Sequence, residues 1–149
     1  MTTRSVVVGS DGRAKAYRPI PMPERAAAAA AGFAAYEGGD FFLAHEHLEP
    51  AWMGTDDLVE RAWLQGLIKL AAAYVHGVRG NPAGIVRNLE GARAKLAEAG
   101  TATQTVTAPD GRRLDLGELV TAIDARLADL ERHPGGATLA PPGLPWRKP

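Results

Sequence analysis

The chain has no cysteine, no excess of either charge and no long apolar run. Each absence closes a class of function. Without cysteine there is no disulfide framework, no thiol nucleophile and no thiolate metal site. That composition suits a reducing compartment, and a cytoplasmic location is the expectation. Lysine and arginine total 17, aspartate and glutamate total 17, and the formal net charge is zero. A neutral surface has no general electrostatic pull on nucleic acid or an anionic membrane, so neither is an expected partner. A spanning helix needs roughly 18 or more consecutive apolar residues, and no such run occurs. The valines Val6–Val8 are the main apolar block near the start, too short for the core of a signal peptide. A nucleophilic triad, a phosphate loop and a nucleotide fingerprint are also missing. The stretch GNPAG, from Gly80 to Gly84, reads as helix punctuation.

What is present is a series of helix starts and stops. At 149 residues the chain suits one domain with a real core. Residues 1–22 read as an irregular N-terminal segment, where Ser10-Asp11-Gly12 allows a short hairpin between Val6–Val8 and Ala14–Tyr17. Pro23 and Glu24 open a helix over 24–37, stopped by Gly38-Gly39. Asp40 caps a second helix over 41–52, which Pro50 should kink or end. Thr55 or Asp56 caps a third over 57–79, closed by Gly80. Asn81-Pro82 opens a fourth over 82–99. Asp115 with Glu118 forms a capping box for a fifth over 116–132. Between the last two, TVT before Pro109-Asp110-Gly111 reads as a short strand or a loop.

The fold expected is all-α, an up-and-down bundle of about five helices with no sheet of three or more strands. Residues 23–132 form the helical domain. Residues 133–149 form an extended Pro/Gly-rich tail, in which Trp146 is an aromatic suited to docking on the body.

The candidate site sits in FFLAHEHLEPAW, Phe41 to Trp52, an apolar stretch carrying two histidines and two glutamates. At about 100° per residue, Phe41, His45, Leu48 and Trp52 share one face, with Glu49 beside them. His45, Glu49 and Trp52 are therefore expected to be buried, and His47 exposed. His45 and Glu49 are one turn apart and can pair. The third helix is apolar around most of its circumference, with a polar stripe of Arg61, Gln65, Lys69, His76 and Arg79. A tight turn near Gly54-Thr55 brings the two helices together antiparallel. That sets His45 level with Leu64 and Gln65, and Glu49 level with Glu60 and Arg61, while His76 lies at the far end.

The ligand-binding candidates are thus His45, Glu46, Glu49, Trp52, Arg61 and Gln65. His45 and Glu49 are also the candidate ligands of a divalent metal, with Glu46 as base or third ligand. The motif is HExxE rather than the HExxH of zinc proteases, so that mechanism does not transfer. Two functions follow. The favoured one is a structural or protein-interaction module in which a buried His–Glu cluster fixes the conformation. The other is a metal- or small-ligand-binding domain, with hydrolysis among its chemistries. The partner is a protein or a small molecule, and homodimers are compatible with either function. Nothing in the sequence assigns a reaction.

From Phe33 to Leu96 the chain resembles the bacterial and archaeal family called domain of unknown function 309. The matching residues are Ala44, His45, Glu46, Leu48, Glu49 and Trp52, then Leu64 to Ile68, then His76, Gly80 and Asn81. Leu43 stands where the family usually has glutamate, and Lys69 where glutamine is common. The resemblance implies an all-helical fold and brings no characterised activity.

Overall fold

The computed structural model describes residues 6–8, 14–78, 80–100, 104–134 and 140–148. Two short strands, β1 (Val6–Val8) and β2 (Ala14–Ala16), pair antiparallel. The turn expected at Ser10-Asp11-Gly12 lies outside the described residues, as does Arg79 of the polar stripe. Five helices follow: α1 (Met22–Glu37), α2 (Phe41–Met53), α3 (Leu58–Val78), α4 (Pro82–Gly100) and, after two strands, α5 (Leu116–Arg132). Each helix packs on the next, so the body is the expected bundle. Among the described residues no helix is long and apolar enough to cross a membrane.

Local chemistry explains the boundaries. The Asp40 carboxylate accepts the Leu43 N–H at 3.0 Å, and Asp115 accepts that of Glu118 at 2.9 Å, each satisfying an orphan donor of a first turn. The cap of α3 is Asp57 rather than Thr55 or Asp56: its carboxylate accepts the Glu60 N–H at 3.0 Å, while the Thr55 hydroxyl accepts the Asp57 N–H at 3.2 Å. Pro50 does not end α2. It sits on the exposed side of the last turn, and its carbonyl accepts the Gly54 N–H at 2.8 Å. Losing one ladder bond is cheapest there, where water reaches the freed carbonyl.

Small residues set the helix crossings. A Cβ on Gly32 would lie 2.6 Å from Leu48 Cγ, and one on Gly66 would lie 2.8 Å from Leu96 Cγ. The backbones of α1 and α2, and of α3 and α4, therefore approach closely. Phe33, Leu48, Trp63, Leu70, Leu96 and Ile123 are fully buried between the helices.

The expectation of no three-stranded sheet is corrected. Strands β3 (Thr105–Thr107) and β4 (Arg113–Asp115) form a hairpin, and β5 (Trp146–Arg147) adds to β4, in the order β3-β4-β5. Gly111 takes a positive φ of 92°, which closes the hairpin turn. A two-residue strand in a proline-rich tail leaves no periodic signal, because its pairing comes from the docked position of the tail. Trp146 docks edge-on to Phe33, ring centroids 5.0 Å apart.

Candidate functional site

The expected burial of α2 is also corrected. Its buried residues are Ala44, Leu48 and Ala51. His45 and Glu49 side chains are 35% and 44% exposed, and Trp52 and His47 are each half-buried. The close approach at Gly32 is the cause. It draws the small side of α2 inward, so the bulkier His45 and Trp52 fall at the flank. A wheel weighted by large apolar residues points to the wrong stripe.

His45 and Glu49 are consequently not a closed pair. Nδ1 of His45 lies 3.9 Å from Oε2 of Glu49 and 3.9 Å from Oε1 of Glu46, too far for a hydrogen bond to either. Glu46 is more exposed than Glu49 and does not line the cleft described below.

Two contacts fix the α2–α3 register. Phe41 meets Tyr74, ring centroids 5.5 Å apart, and the Arg61 guanidinium sits 4.9 Å from the centre of the Trp52 ring. Interpolated between them, Glu49 lies level with Gln65 and His45 with Lys69. That is one turn further along α3 than the sequence suggested, since α2 continues through Pro50 and the connection takes up Gly54 to Asp57.

A cleft of about 320 Å³ opens at this level. Helix α2 supplies His45, Glu49 and Trp52, and α3 supplies Gln65, Ile68, Lys69 and Ala72. Asn88 enters from α4, its amide nitrogen donating to the Gly84 carbonyl at 2.9 Å. The volume lies at the small end of ligand pockets, roughly 300–1,000 Å³. A second hollow of about 270 Å³, between α4 and α5, is lined by a single polar side chain, Gln104, and by no titratable group.

Of the expected site residues, the cleft unites His45, Glu49, Trp52 and Gln65. Arg61 is elsewhere. It is buried under Trp52 and donates to the carbonyls of Trp52 at 3.2 Å and Thr55 at 3.0 Å, tying the end of α2 to the start of α3. Burial pushes its pKa down, and the nearby Tyr17 opposes that.

Ile68, Lys69, Ala72 and Asn88 were not among the sequence candidates. The first three were findable, since they continue the Gln65 face of α3 at helical spacing. Asn88 was not, because its place depends on how α4 crosses α3. His76 belongs to a different feature, as its distance along α3 implied. Its Nδ1 meets the Asn81 amide at 3.2 Å, and its ring fills the space where a Gly84 Cβ would be. Asn81 also accepts the Gly84 N–H at 3.1 Å, and Gly80 takes a φ of 68°. The H-x-x-x-G-N stretch is thus the corner that turns α3 into α4.

Among the described residues, no three His, Asp or Glu side chains are disposed to hold a metal ion. Residues 29–88 match the family model described as domain of unknown function 309. No curated protein and no solved structure matches the chain.

Proposed function

We propose that this chain, similar over residues 29–88 to the domain of unknown function 309 family, binds a small polar organic molecule in the cleft between α2, α3 and α4. One observation carries the reading. His45, Glu49, Gln65 and Lys69 converge on one cleft, and among the described residues none of these side chains is engaged in an internal hydrogen bond. Polar side chains that serve as structural pins are bonded within the protein. Unspent donors and acceptors around a concave, partly apolar wall instead suit a ligand. This favours the small-ligand function over the conformation-fixing cluster, whose premise was a buried pair. The pair of potential ligands on α2 is also short of the three or four that a metal site uses.

The test is amide-resolved NMR of the labelled protein with pooled polar metabolites. Resonances of His45, Gln65, Lys69 and Asn88 should shift together. The shifts should vanish in His45→Ala and persist in His47→Ala, since His47 does not line the cleft. A pool that moves none of these resonances, or moves them equally in both variants, overturns the proposal.

A further inference from the structure

Resting on that ligand-binding reading, we infer that the cleft takes a zwitterion: an amine and a carboxylate joined by a short apolar chain. The register places opposite charges at two levels of the groove. By that interpolation Glu49 lies level with Gln65 at one, and His45 level with Lys69 at the other, all four lining the cleft. Levels four residues apart on a helix are separated by about 6 Å. At the first level the Glu49 carboxylate and the Gln65 carbonyl oxygen can accept from an ammonium group. At the second, the Lys69 ammonium and an imidazole N–H of His45 can donate to a carboxylate. Between and beside them the wall is Ile68 and Ala72, with Trp52 closing the Glu49 end. Those surfaces suit methylenes rather than further polar groups.

Lys69 runs close along the backbone of α4. Its stem lies over Gly91 of α4, where a Cβ would come within 3.1 Å of Lys69 Cδ. The glycine leaves the channel along which that side chain runs. Lys69 and Glu49 line the same cleft without forming an ion pair with each other. A ligand of one charge satisfies one of them and leaves the other facing its apolar part, partly stripped of water. Glu46 and Glu49, both within 3.9 Å of His45, also repel a plain anion. A ligand with both groups answers both seats.

The experiment is calorimetric titration of the full chain with glycine, β-alanine, γ-aminobutyrate and ε-aminocaproate, beside butyrate and butylamine. Affinity should peak at intermediate length and exceed that of each one-charge analogue by roughly tenfold, a difference of about 1.4 kcal/mol. Glu49→Gln should bring the best zwitterion down to the level of butyrate, and Lys69→Gln to the level of butylamine. Gly91→Ala keeps every charge and gains helix propensity, yet should weaken the zwitterion by displacing Lys69 while the melting temperature holds. Butyrate binding as tightly as the zwitterions, or a length series with no optimum, overturns the inference. If the metabolite pool still shifts the cleft resonances while no amino acid of the series binds, the zwitterion falls and the ligand-binding reading stands. If neither binds, both fall.

Discussion

Two tyrosines, each 5% exposed, show how differently one residue type can be used. The Tyr36 hydroxyl donates to the Pro142 carbonyl at 2.7 Å, fastening the C-terminal tail to α1. Among the described residues the buried Tyr74 hydroxyl makes no hydrogen bond of normal geometry, and the Arg126 guanidinium is its polar neighbour. Tyr36→Phe should therefore cost about 1 kcal/mol, the net worth of a hydrogen bond, and leave the Pro142 carbonyl unpaired. Tyr74→Phe should be close to neutral, since it removes a buried hydroxyl whose contact with the Arg126 guanidinium falls short of normal hydrogen-bond geometry and keeps the ring on Phe41. Chemical denaturation of the two variants at neutral pH distinguishes them. Their pH dependence has a definite sign. Burial pushes the Tyr74 phenol up from 10.0 to about 12, with the Arg126 guanidinium pulling the other way, and burial followed by the neighbouring Tyr74 raises Tyr36 further still. Below pH 10 both phenols are neutral in the folded and unfolded chain, and their contribution to stability is fully present. Above it the unfolded chain ionises first, so stability falls as pH rises toward 12. The wild type should lose stability over that window more steeply than Tyr74→Phe, and a matching slope in the two would refute the assignment.

Between helices, the crossings depend on what is missing from two side chains. Glycine inside a helix normally gives way to alanine with a gain of about 0.5–1 kcal/mol. At Gly32 and Gly66 the added methyl would strike Leu48 and Leu96 instead. Gly32→Ala and Gly66→Ala should each destabilise by about 1–3 kcal/mol, the cost of overpacking a filled core, and denaturant midpoints measure it. A gain at either would mean that the crossing can open freely. The same crossings explain how much of the site the sequence disclosed. Asp40, Gly54, Gly80, Asn81 and Asp115 act locally, through caps and positive φ, so the five helices were legible almost to the residue. The face that α2 turns inward was not. It follows from the Gly32–Leu48 contact, which joins residues 16 apart and overrides the weight of Phe41 and Trp52. His45, Glu49, Trp52 and Gln65 were found as neighbours because one tight turn relates their helices. Lys69 was within reach as the next turn of the Gln65 face, whereas Asn88 needed the α3–α4 crossing.

Over the whole molecule, the tail from residue 140 onward works as a strap across the bundle. The Arg126 Nε–H donates to the Ala140 carbonyl at 3.0 Å, the Asp115 N–H donates to the Pro145 carbonyl at 3.0 Å, and Arg147 pairs with the Asp115 carboxylate at 2.7 Å. Asp115 thereby caps α5 and anchors the tail with the same side chain. Trp146 is the apolar anchor of the strap. It covers one side of Phe33, and the Arg112 guanidinium lies 3.9 Å from its ring centre. A cation over an indole that is partly shielded from water contributes about 1–2 kcal/mol. Trp146→Ala should thus lower stability by about 2–3 kcal/mol, below the cost for a fully buried tryptophan because the ring is only half-buried. Trp146→Phe should recover most of this, since a phenyl ring can keep the edge contact with Phe33 and the buried indole N–H, which has no partner among the described residues, is lost. The strap crosses α1 and the small sheet, whereas the cleft is built from α2, α3 and α4. Ligand titration of Trp146→Ala below its melting transition should therefore give the wild-type affinity. A large loss of binding in that variant, with the helices intact by circular dichroism, would show that the strap and the cleft are coupled.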